Sequence, residues 1–203
     1  MFILLLDIIY SMPIPKRYPG IYFPINDGLV QLELFADPLC PVCLAAWPVI
    51  QQLMGNYSTQ LQVIVHLLPL PYHTWAFVVT QALRAVNAIN NSKAQQMICN
   101  LYNGDQDKFS NSQMANKSQF EVTELVLQYV VSTLSIDYDT LKAEYDNQNT
   151  NARIEYKYAA EQKVSGTPIL FLNGVATDYE LTYENVANDI EKCLNSKEVV
   201  GEL

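Results

Sequence analysis

A pair of cysteines three positions apart stands where a strand hands over to a helix. Cys40-Pro41-Val42-Cys43 follows the apolar run Leu29 to Ala36 and precedes the helical pattern Leu44 to Leu53. Backbone N–H groups at a helix start have no partner within the helix, and the dipole there is positive. A cysteine at that point loses its proton more readily than a free one, whose pKa is ~8.5. Pro41 suits the first helical position, where its missing N–H would have been unpaired anyway. The placement predicts Cys40 as the more exposed thiol, with Cys43 one turn in, beneath it and able to resolve whatever Cys40 attacks.

A C-x-x-C is also half of a zinc site. Zinc takes four ligands, usually a second such pair or paired histidines. The remaining candidates are Cys99, Cys193, His66 and His73, and none forms a second C-x-x-C. No metal and no bound cofactor is expected. A Cys99–Cys193 disulfide is left open by the sequence.

A second motif stands far down the chain. Val164-Ser165-Gly166-Thr167-Pro168 opens the apolar segment Ile169 to Leu172, and a proline after Gly and Thr at a strand start is a candidate for a cis peptide bond. Such a turn would leave the backbone of Thr167 free to pair with an extended substrate chain. The bland alternative is a trans proline that merely starts a strand.

Between these motifs the pattern reads as follows. Pro13, Pro15, Pro19 and Pro24 surround Ile21-Tyr22-Phe23, an extended arm ending in a short edge strand. Leu61 to Leu67 is the next strand, stopped by Pro69 and Pro71. Helices are expected over Pro41–Gly55, with Pro48 inside, then Thr74–Ile89 and Lys93–Tyr102. Asn103 to Lys117 reads as loop. Ser118-Gln119-Phe120-Glu121 is a capping box opening another helix. Asp137–Tyr145 and Ala152–Lys163 are helical, Asn173-Gly174 is a hairpin turn, and a last helix carries Val186, Ile190 and Leu194 on one face. The expected division is an N-terminal arm or vestigial signal segment over 1–19, a domain carrying both motifs over 20–72 and 149–203, and a helical insertion over 73–148.

Together these features resemble the DsbA-like branch of the thioredoxin superfamily. The resemblance covers nearly everything from Leu29 to Leu194, and Leu67-Leu68-Pro69-Leu70-Pro71-Tyr72-His73 looks like eukaryotic members. It implies an α/β fold, with a mixed central sheet flanked by helices and an all-helical insertion. It implies thiol–disulfide exchange on protein substrates, with Cys40 attacking, Cys43 resolving, Pro41 and Val42 supporting, and Thr167-Pro168 holding the substrate. Two departures matter. DsbA has His where this chain has Val42, which implies a less acidic Cys40 and a potential between thioredoxin at about −270 mV and DsbA at about −120 mV. The buried acid that the family places six residues before the nucleophile is replaced by Leu34, with Glu33 on the opposite face. Two rivals remain. One is a redox-inert module binding extended peptide at the proline edge. The other is a glutathione-using relative of the kappa-class transferases, which lack the paired cysteines.

The rest of the chain narrows partners and compartment. A net charge of −9 argues against nucleic acid and against an anionic membrane surface. No run of eighteen apolar residues exists, so no transmembrane helix is expected. Phe2 to Tyr10 reads equally as a worn secretory signal or as a partly buried strand. Sequons at Asn56, Asn90 and Asn116 add slight weight to the secretory pathway or the extracellular space, with the cytoplasm as the alternative. Protein or peptide substrates bearing thiols or disulfides are the expected partners, and the oligomeric state is not readable. Trp47, Phe35 and Cys193 are expected in the core. His66 and His73 read as structural histidines or as neighbours of the thiols. Tyr72 and Trp75 read as core residues more readily than as the lining of a groove.

Overall fold

The computed structural model describes residues 19–23 and 29–200, with side chains up to 195. The expectations for residues 1–18 therefore lie outside the described residues. Strand β1 spans Ile21–Phe23, β2 Val30–Ala36, β3 Leu61–Leu67, β4 Ile169–Leu172 and β5 Val175–Ala176. They form one sheet in the order β1-β3-β2-β4-β5. The central pair β2–β3 is parallel and the other three pairings are antiparallel.

Parallel neighbours need a crossover, and helix α1, Pro41–Asn56, supplies it. Antiparallel β4 and β5 need only a tight turn. Asn173 and Gly174 provide it at φ 49 and 80, the left-handed region that such a hairpin requires. The chain between β3 and β4 is helical among the described residues. It comprises α2 (Ala76–Ile89), α3 (Asn91–Tyr102), a short 3₁₀ turn over Asp105–Phe109, α4 (Gln119–Leu134), α5 (Tyr138–Asn147) and α6 (Asn149–Glu161). Helix α7, Tyr183–Val200, ends the description.

Each helix start has a local cause. Asn90 accepts the N–H of Lys93, Asp137 accepts that of Thr140, and Ser118 with Glu121 forms the reciprocal capping box. Several helix boundaries lie one to three residues from expectation, and two have a clear local cause. The second helix starts at Ala76, because His73 to Trp75 are taken up in the turn after Pro71. The sixth stops at Glu161, because Lys163 turns left-handed at φ 61.

The side-chain alternation of β2 divides the interior. Leu32, Leu34 and Ala36 face the main core, which also holds Trp47, Ile50 and Leu53 of α1 and Val186 and Ile190 of α7. Phe35 faces the other side and packs with Leu70, Ala159 and Phe171. On that side the His66 ring stacks on Phe35 and bonds Glu33 at 2.9 Å, and Tyr158 of α6 donates to the same carboxylate at 3.2 Å. Burial raises the pKa of Glu33, but His66, Gln31 and Tyr158 outweigh it and hold the carboxyl below its usual range. His66 is thus the hydrogen-bonded structural histidine of the expectation. A second clasp joins the insertion to the sheet. Glu155 of α6 accepts from Arg84 of α2 at 2.7 Å and from the Leu67 N–H at 2.7 Å.

One packing expectation is corrected and two hold in part. Tyr72 is 63% exposed, because the turn carrying it runs over the surface, where its carbonyl accepts from Asn111. Trp75 is half-buried against the main core, and Cys193 is half-buried rather than enclosed.

Candidate active site

Cys40 is the N-cap of α1, with extended backbone (φ −77, ψ 121) and Pro41 following at the first helical position. That geometry aims the backbone N–H groups of Val42 and Cys43 at the Cys40 sulfur. All four cysteines are free thiols, so the Cys40–Cys43 pair is seen as a dithiol and Cys99 and Cys193 are unlinked. The Thr167–Pro168 peptide bond is cis. It closes the site from the remote end of the chain, with the Cys40 thiol donating to the Thr167 carbonyl at 3.7 Å.

The two sulfurs are strongly unequal. The Cys40 thiol is pulled down to about 5. Its largest cause is the hydrogen bond from Cys43. Burial opposes it, and the Thr167 side chain and the N–H groups of Cys43 and Val42 add to it. Cys43 is pushed far up, first by its own burial and then by Cys40. One thiolate is thus stabilised by its neighbour's proton, and the neighbour stays protonated. A value of about 5 lies well below the ~8.5 of a free cysteine.

The predicted residues come together as follows. Cys40, Cys43, Thr167 and Pro168 meet in one place. Pro41 and Val42 stand exposed at its rim. Cys40 is the more exposed of the two thiols, as expected, but both are buried, at 4% and 2%. The cause is the Thr167 loop, which lies over the Cys40 sulfur. Proline and valine, not the sulfur, form the outer surface. Among the described residues no group of His, Cys, Asp and Glu could hold a metal ion.

Three further residues support the site; Asp37 and Tyr102 are not among the expected site residues, and His73 is expected there only as the alternative reading. Asp37 is fully buried. It accepts the Leu39 N–H at 2.7 Å, the Leu70 N–H at 2.6 Å and His73 Nδ1 at 2.9 Å. Burial raises the Asp37 pKa and those donors oppose the rise. Asp37 therefore pins the turn before Cys40 to the segment after β3. His73 is drawn to the thiol site by this contact, the less favoured of its two sequence readings. Tyr102, at the end of α3, donates to the Asp37 carbonyl at 2.9 Å, and its ring packs tilted against Trp47. Its phenol faces the cysteine pair, and its pKa is raised by burial first and by Cys43 next. A sequence clue existed for Asp37, which precedes Pro38 in the turn, but none for Tyr102.

The fold and site define a thioredoxin-type protein with a helical insertion. Residues 26–192 match the family model described as Thioredoxin, and the chain belongs to that family. Three solved structures share its fold. A protein of Pseudomonas syringae, provisionally classed as a protein-disulfide isomerase, superposes at a TM-score of 0.71 with 16% identity, covering 84% of this chain and 97% of that one. Oxidised BdbD of Bacillus subtilis does so at 0.69 with 14% identity, covering 87% and 94%. The thiol-disulfide exchange protein alpha-DsbA2 of Wolbachia pipientis does so at 0.60 with 16% identity, covering 94% and 92%. At these identities the likeness is one of fold. No curated protein matches the sequence.

Proposed function

We propose that this protein is a thiol–disulfide oxidoreductase acting on polypeptide substrates through Cys40 and Cys43. The observation that carries the reading is the inequality of the two thiols. Cys40 is held at about 5 at the mouth of α1, against Thr167, with protonated Cys43 beside it. In the reducing direction the Cys40 thiolate attacks one sulfur of a substrate disulfide. That S–S bond breaks, a Cys40–substrate disulfide forms, and the other substrate sulfur leaves as thiolate. Cys43 then gives up its proton and attacks the Cys40 sulfur. The second substrate sulfur leaves, and the Cys40–Cys43 disulfide remains. The substrate gains two electrons and the pair loses them. Oxidation of a substrate dithiol runs the same steps backwards.

A strongly stabilised thiolate favours the reduced pair, which makes the disulfide form an oxidant. We therefore read the protein as a donor of disulfides, at work in the secretory pathway or outside the cell, where disulfides persist. A groove of about 580 Å³, lined by Pro168, Ile169, Leu170, Tyr179 and Leu181, runs beside the cis-proline and suits an extended apolar segment. Residues 20–72 and 149–203 form the exchange unit in this reading, and 73–148 is the insertion walling it.

The test is trapping. The Cys43→Ser variant should accumulate mixed disulfides through Cys40 with reduced, unfolded secretory proteins once Cys40 is activated by a small disulfide. Wild type should show none that persist. Absence of adducts, together with failure to oxidise or reduce any test protein, would leave a redox-inert binding module.

A further inference from the structure

Cys43 must become a thiolate in a place that disfavours one. It lies one turn into α1, and burial pushes its thiol far up. In exchange it is the attacking sulfur in the reducing direction and the leaving sulfur in the oxidising one. A buried anion is costly unless a donor faces it, and a sulfur leaves faster the lower its pKa.

A donor is built into the fold. Trp47 stands four residues after Cys43 on the same face of α1, and both are buried. Tyr102 of α3 lies across that face. Its ring packs against Trp47, with centroids 5.2 Å apart, and its hydroxyl donates to the Asp37 carbonyl at 2.9 Å. The same carbonyl accepts the Cys40 N–H at 3.1 Å, so the phenol and the start of α1 share one anchor. Between Trp47 and that anchor the buried face of α1 presents Cys43. The Tyr102 ring therefore spans the resolving thiol, with its oxygen toward the cysteine pair. Burial raises the Tyr102 pKa first, Cys43, Asp37 and Cys40 add to the rise, and so does a hydrogen bond to Cys43. The phenol thus keeps its proton when a neighbouring sulfur is ionised. It is a donor and not a base.

We propose that the Tyr102 hydroxyl is the hydrogen-bond donor to the Cys43 sulfur whenever that sulfur carries charge, and so sets the rate at which Cys43 attacks or leaves. The proposal rests on the exchange reading above and deepens it. In the oxidising direction a substrate thiolate attacks the Cys40 sulfur of the Cys40–Cys43 disulfide. A substrate–Cys40 bond forms, the Cys40–Cys43 bond breaks, and its electron pair goes to Cys43, toward which the Tyr102 O–H turns from the Asp37 carbonyl. In the reducing direction Cys43 attacks the mixed disulfide, and its proton ends on the substrate thiolate that it displaces. Tyr102 keeps its own proton in both. The hydrogen bonds that lower Cys40 come from Cys43, the Thr167 side chain and the N–H groups of Cys43 and Val42. Removing the phenol therefore leaves the attack by Cys40 in place.

The test separates the two sulfurs kinetically in Tyr102→Phe, with glutathione as the probe and acid quenching followed by mass measurement as the readout. The reduced protein is mixed with oxidised glutathione. Attack by Cys40 should keep its wild-type rate within about twofold, while release of glutathione by Cys43 slows about tenfold, so a Cys40–glutathione adduct accumulates. The oxidised protein is mixed with reduced glutathione, and opening of the Cys40–Cys43 disulfide should also slow about tenfold. Tyr57→Phe, which removes the phenol that donates to Glu191 at the far end of α1, should leave all three rates unchanged. A second readout needs no variant: in the wild type, the Tyr102 ring protons should show nuclear Overhauser contacts to the Cys43 β protons, and their absence would overturn the placement. Wild-type rates in Tyr102→Phe, or equal slowing of the Cys40 and Cys43 steps, would overturn the donor role and leave the exchange reading standing. A wild type that exchanges with neither form of glutathione would bring down the exchange reading, and this role with it.

Discussion

Replacing Cys43 with alanine removes the largest influence that keeps Cys40 acidic. In the wild type Cys40 is held at about 5, with the Cys43 hydrogen bond first among its causes. A hydrogen bond to a charged acceptor contributes about 1.5–3 kcal/mol, and one pKa unit corresponds to about 1.36 kcal/mol. Losing it should raise Cys40 by about 1–2 units, to about 6–7. At pH 6 the thiolate would then fall from about 90% of molecules to between about 10% and 50%. The assay is the pH dependence of Cys40 alkylation by iodoacetamide, with the modified cysteine assigned by peptide mass, since Cys99 and Cys193 are free as well. The midpoint is the readout, not the plateau rate, because a less acidic thiolate is also the better nucleophile. A variant midpoint still near 5, or a wild-type midpoint above about 7, would show that the neighbouring thiol does not set the acidity of Cys40.

Other consequences are open to measurement. The lowered Cys40 pKa makes the reduced protein's stability depend on pH: the gain is complete above the unfolded value of ~8.5 and is lost as pH falls through about 5. Cys43, raised by burial, turns the trend down again above ~8.5, so urea midpoints of the reduced form should rise from pH 5 to about 8. A flat profile would count against the Cys40 thiolate. Arg84→Met strands the Glu155 carboxylate, whose side chain has no exposure, and should cost about 3–5 kcal/mol in denaturant unfolding. Adding Glu155→Gln should recover part of that loss. Tyr102→Phe removes the phenol bonded to the Asp37 carbonyl and should cost about 1 kcal/mol, with no loss of helix by circular dichroism.

Local chemistry made most of the fold legible in advance. The alternation in β2, the capping box at Ser118, the Asn173-Gly174 turn and Pro41 at a helix start each act within a few residues, so their signals survive in the bare sequence. The site was legible only in part. Cys40, Cys43 and Thr167-Pro168 announce themselves by type and spacing, but the burial of Cys40 does not. It is imposed by a carbonyl 127 residues away. Glu33 and His66 meet because the parallel register of β2 and β3 sets Glu33 opposite Ile64 and Phe35 opposite His66, a pairing that periodicity cannot supply. Tyr102 reaches the site through the packing of α3, and it belongs to no pattern. Tyr72 looked apolar enough for the core, but it is carried outward on a proline-bounded turn.

Equilibrating the protein in glutathione buffers of graded ratio, and quantifying the Cys40–Cys43 disulfide by mass, bears most directly on whether these two residues are a redox couple. A single two-electron transition should appear, with a midpoint between about −270 and −120 mV. A pair that stays reduced in every buffer, or a disulfide that forms elsewhere while Cys40 and Cys43 remain thiols, would contradict it.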